Sequence, residues 1–177
     1  MRDCILFIAS ILLIGCSLEN PSKAPLEKAL ADSKNISELV SAFESDSILS
    51  VRERLNSAKE DVRWLGVEDS IEFVREDAPI IGKLSEASRY LKDAPQRLNG
   101  LSKECERCSI QIIGLLDVIS SGASIDAKGD TITEEYIATN AAREIEAVVK
   151  LEEVYNETER LFRLGLATDG EHWSSID

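Results

Sequence analysis

LNGLSKECERCSIQIIGLLDVI, residues 98–119, places Leu98, Leu101, Cys105, Cys108, Ile112, Leu115 and Ile119 at alternating steps of three and four residues. That spacing keeps one apolar stripe on one side of an α-helix and matches the seam along which helices pack. A stripe this regular needs other helices to cover it.

Working outward, the neighbouring segments supply those helices. On the N-terminal side, beyond Asp93-Ala94-Pro95, a segment starting near Asp69 carries Ile71, Val74, Ala78, Ile81, Leu84, Ala87 and Leu91. Pro79 lies within it, removing a backbone donor and crowding the preceding turn, so a kink or interruption is expected there. Further upstream, Asn35 with Glu38 three residues on has the form of a helix cap. It precedes Ile36, Leu39, Val40 and Phe43, then Ile48, Val51, Leu55, Ala58, Val62 and Leu65. The five-residue step from Phe43 to Ile48, across Glu44-Ser45-Asp46-Ser47, predicts a break, and Gly66 a stop. On the C-terminal side, residues 120–130 have loop composition, with Asp130 or Thr131 as the expected cap of a last helix. Its stripe runs Ile137, Ala141, Ile145, Val148, Leu151, Val154, Tyr155, Leu161 and Phe162, toward Gly165. The prediction is an all-α fold: an antiparallel bundle of about four helices over residues 35–165, with a flexible tail over 166–177.

Composition agrees, with 44% hydrophobic residues but only 5% aromatic ones. The formal charge of −13 argues against nucleic acid as a partner, because binding there is driven by lysine and arginine displacing counterions. It also disfavours direct docking of the surface on anionic lipid. Basic proteins, cationic peptides and divalent cations remain as electrostatic partners.

The chain's start has a different character. Ile5–Gly15 is apolar except for Ser10 and follows Arg2 and Asp3. It falls short of the roughly 20 residues a spanning helix needs, and reads as a secretory signal peptide. Leu13-Ile14-Gly15-Cys16 resembles the lipobox of bacterial lipoproteins. The resemblance covers about the first 17 residues and identifies a processing class, not a family. It implies removal of residues 1–15, a diacylglyceryl group on the Cys16 thiol, and a further acyl chain such as palmitate on the new N-terminus. Two or three chains suffice for stable anchoring. Ser17, where inner-membrane lipoproteins carry Asp, resembles the outer-membrane pattern. Asp3 departs from the pattern by cancelling the charge of Arg2. Residues 16–34, with Pro21 and Pro25, are expected to form the lipidated N-terminus and a tether, with room for a short helix starting at Pro25.

Cys105 and Cys108 are the remaining chemical candidates. Cys-x-x-Cys suggests a disulfide or redox couple, which an oxidising envelope permits. The pair instead sits on an apolar helical seam with no strand before it, which favours two core residues. Haem attachment wants histidine after the second cysteine, where Ser109 stands. The lone His172, beside Trp173, cannot complete a zinc or di-iron site, and a tail is a poor place to hold a catalytic base. Asp126–Asp130 lacks the ligands of a calcium loop, and the sequons at Asn35 and Asn156 carry little weight in a bacterial protein. No cofactor, metal or catalytic residue is expected. The reading is a lipid-anchored envelope protein, held by Cys16 at the outer rather than the inner membrane with its bundle projecting into the periplasm or outside, that acts without catalysis by binding another envelope protein or as an assembly or structural module. The alternatives are a thiol-disulfide oxidoreductase using Cys105 and Cys108, and a carrier of an apolar ligand between helices.

Overall fold

The computed structural model describes residues 20–126 and 129–169. The signal peptide, Cys16 and the His172-Trp173 pair lie outside the described residues.

The protein is an all-α helical bundle. Among the described residues five helices follow one another: α1 Lys23–Ser41, α2 Ser45–Val67, α3 Ala78–Tyr90, α4 Ala94–Ser121 and α5 Glu134–Leu166. Neither α1 and α2 nor α3 and α4 pack on each other, whereas α5 touches all four. The helices therefore form three legs: α1 continued by α2, α3 continued by α4, and α5 alone.

Each break has a local cause. Between α1 and α2 the chain turns extended at Glu44 (φ −82°, ψ 96°), and Asp46 follows in the first turn of α2, where a carboxylate suits the helix dipole. Asp93 adopts a left-handed conformation (φ 60°) between α3 and α4. Pro79 and Pro95 both lie in a first helical turn, where the missing N–H costs nothing. Pro79 thus opens a helix instead of kinking one. Residues 68–77 are not helical, and Ile71 and Val74, expected on a buried stripe, are exposed.

The expected seam of α4 is buried from Leu98 to Leu115, with Ala94 added at its start. The seam of α5 keeps the same rhythm through Ile137, Ala141, Glu144, Val148, Leu151, Tyr155, Thr158, Phe162 and Gly165. Val154, placed on the stripe by the sequence, is exposed. Along the seam Arg107 meets Glu144, while Arg97 and Thr158 line a common groove, so α4 and α5 pass in opposite senses.

The tether is corrected. Residues 23–34 form the first half of α1, and Leu26, Ala29 and Ser33 enter the core. Asn35 is an interior helical residue and not a cap. Phe43 closes the same leg, its ring edge-on to Phe162 at 5.6 Å and tilted to Tyr155 at 6.5 Å. The described part of the tail is corrected too: Asp169 is buried, and Arg54 Nε donates to its Oδ1 at 3.2 Å. At the other end of α5, the Thr133 hydroxyl accepts the Tyr136 N–H at 3.1 Å and forms the cap expected of Asp130 or Thr131. Thr131 instead pairs with Ile125 in an isolated bridge that closes the preceding loop.

Candidate functional site

The α4 seam brings both cysteines into the core as free thiols, with Cys105 1% and Cys108 0% exposed. Ser33 of α1 donates to the Cys105 carbonyl at 3.1 Å and lies 3.2 Å from the Ser109 hydroxyl. A small polar contact thus locks α1 to α4 beside the sulfurs. On the other side Arg107 bridges α4 to α5, reaching Glu104 at 2.8 Å and Glu144 at 3.1 Å, with its Nη2 3.2 Å from Cys108 Sγ.

Electrostatics keep these thiols protonated. Burial pushes both above the ordinary cysteine range, and for Cys105 the neighbouring Cys108 adds to the rise. Arg107 pulls Cys108 the other way, but burial dominates. Since the thiolate is the nucleophile in disulfide exchange, the folded arrangement holds both sulfurs in their unreactive form and away from solvent. The carboxylates beside them, Glu104 and Glu144, are committed to Arg107. Among the described residues, no three His, Cys, Asp or Glu side chains are grouped to hold a metal.

Two surface features are better placed to meet a ligand. A groove of about 380 Å³ runs between α4 and α5, lined by Arg97, Gly100, Leu101, Lys150, Val154 and Thr158. It is open to solvent along its length, unlike an enclosed pocket for an apolar cargo. The second feature lies where α2 gives way to α3. Trp64, Val67, Ile71, Phe73, Val74 and Ile80 are all exposed within one short stretch of chain. Periodicity missed this surface, because Ile71 and Val74 continue the α3 stripe in register. Pro79, which sets where α3 begins, was the signal available.

No helix among the described residues is long and apolar enough to cross a membrane. Comparison with protein-family models, with curated proteins and with solved structures finds no match to this chain.

Proposed function

We propose that the chain is a bacterial envelope lipoprotein, anchored through acyl chains on Cys16, whose helical bundle binds another envelope protein and performs no catalysis. The observation that carries the binding reading is the run of exposed apolar side chains Ile71, Phe73, Val74 and Ile80, before α3 and in its first turn. Apolar side chains gathered at a surface are costly to leave in water and mark interaction sites. The shielded, protonated thiols weigh against the oxidoreductase reading, and the open groove weighs against a carrier that encloses its cargo. The lipobox resemblance supports the anchor, and Ser17 supports the outer membrane over the inner.

The anchor and the binding face are tested together in cells producing the full chain. With an alkyne-tagged fatty acid in the medium, the wild type is expected to take up label and sediment with membranes. Cys16→Ala should lose the label and accumulate with residues 1–15 attached; undiminished labelling would refute the anchor. Cross-linking of intact cells should give a discrete adduct that Ile71→Ser/Val74→Ser abolishes. An adduct indifferent to those changes removes the carrying observation.

A further inference from the structure

The apolar stripes of α2 and α3 outrun the leg that covers them. On α2 the stripe is buried at Ile48, Val51 and Leu55 but only half-buried at Ala58, Val62 and Leu65. On α3 the stripe is buried at Leu91 and Ala87 and half-buried at Leu84 and Ile81, while Ile80, seven residues before Ala87 and on its side of the helix, is 64% exposed. Both changes occur at one level, where Arg54 pairs with Asp169, Gly165 abuts Leu91, and α5 ends at Leu166. Beyond it α2 runs on for about 18 Å at 1.5 Å per residue; α2 and α3 pack on each other, and at that level Ser88 Oγ donates to Asn56 Oδ1 at 2.6 Å. Among the described residues, two legs thus continue as an arm past the end of the third, with core-type residues facing the position a third helix would take.

We infer that this position is the seat of an amphipathic helix with cationic flanks, supplied by another protein. The inference rests on the protein-binding reading and adds the place and the partner's chemistry. An apolar face is required because Val62, Leu65, Leu84 and Ile80 line the seat in helical register. Cationic flanks are required because the connection above it carries Glu68, Asp69, Glu72, Glu76 and Asp77 against a single Arg75. A second copy would bring the same acidic collar, and residues 170–177 hold Glu171 and Asp177 with no lysine or arginine. Both occupants would meet like charge, whereas a lysine-rich helix gains attraction and faster encounter.

The test uses the full-length, membrane-anchored protein in its own cells, with a photo-cross-linking residue introduced singly at Ile80, at Trp64 or at Val154. Ile80 faces the seat. Trp64 is nine residues from Leu55, about 180° around α2 at roughly 100° per residue, and faces away. Val154 lines the α4–α5 groove. All three side chains are more than half exposed, so the substitutions do not open the core. The expected result is a cross-link from Ile80, at least tenfold stronger than from Trp64 or Val154, to a segment with heptad-spaced apolar residues and flanking Lys or Arg. A synthetic peptide of that segment should bind the wild type and bind Ile80→Glu at least tenfold more weakly. Cross-links from Ile80 to a second copy, to residues 170–177 or to lipid would overturn the inference. Cross-links from Val154 or Trp64 alone would overturn it while leaving the protein-binding reading intact. Silence from all three positions would remove both.

Discussion

Gly165 is where α5 and α3 come closest. A β-carbon there would sit 2.5 Å from Leu91 Cδ2 and 3.1 Å from the Ala87 carbonyl oxygen, and Leu91 is fully buried. Gly165→Ala should therefore destabilise the protein by about 1–3 kcal/mol, overpacking outweighing the gain in helix propensity. Gly100 and Gly114 make the contrast, since a β-carbon at either meets nothing within 4 Å. Alanine at either interior position of α4 should stabilise by roughly 0.5–1 kcal/mol. Denaturant unfolding of the three variants checks both signs, and a stabilised Gly165→Ala would show that α3 does not press on α5. The thiols supply a pH dependence. Folding raises the affinity of Cys105 and Cys108 for their protons, so above about pH 8.5 the unfolded chain holds fewer protons than the folded one. Stability is complete below that pH and falls as pH rises through the folded-state range. Tyr155, raised chiefly by burial, acts in the same sense. Thermal melts should show an alkaline decline that Cys105→Ala/Cys108→Ala makes shallower, with a remainder due to Tyr155; an unchanged slope would count against the thiols as its source.

At the scale of the element, α1 is the helix whose extent matters most for where the domain begins. A fragment of residues 35–169 loses Leu26, Ala29 and Ser33 and uncovers the α4 seam, so it should bind a hydrophobic dye and melt without cooperativity. Residues 20–169 should melt as sharply as the longer chain. Within the intact protein, Leu26→Ala removes a fully buried side chain. It should cost about 2–5 kcal/mol and lower Tm by about 5–15 °C. If both fragments unfold alike, residues 23–34 contribute no core. These residues show why part of the fold was hidden from the sequence. The α4 seam was legible because every position on it is apolar or cysteine. On α1 the seam passes through Ser33, whose hydroxyl is satisfied by Cys105 and Ser109 on a helix 72 and 76 residues away. A polar residue whose partner lies on another helix looks, in one dimension, like the end of a stripe. Glu144 and Thr158 hide on α5 in the same way. The converse error occurs at Ile71 and Val74, which keep the rhythm of a helix but precede the proline that opens it. Of the candidate site, the placement of both cysteines on the core seam was legible. The exposed arm was not, because exposure there depends on where another leg stops.

At the scale of the whole molecule, three legs of unequal length imply unequal stability. Where all three run together, fully buried residues such as Cys108, Ile112 and Phe162 come from α4 and α5, and their helices open only when the core does. Among the described residues, the arm past Leu166 has two legs, no fully buried large side chain, and a connection rich in like charges. Local opening there exposes little new apolar surface and relieves carboxylate repulsion, so it should occur without global unfolding. Native-state hydrogen exchange should find amides of residues 58–67 and 78–84 exchanging at least 100-fold faster than those of residues 101–115 and 141–162, a gap of about 2.7 kcal/mol in opening free energy. Raising the salt concentration should narrow the gap by screening the carboxylates around Glu68–Asp77, while leaving the slowest core amides unchanged. A helix seated on the arm should slow the arm's exchange selectively, because it supplies the missing apolar cover. Equal protection of arm and core in the isolated protein would mean that something already covers Ile80 and Leu65. The two-legged arm would then be closed, and the molecule would have no vacant seat to offer a partner.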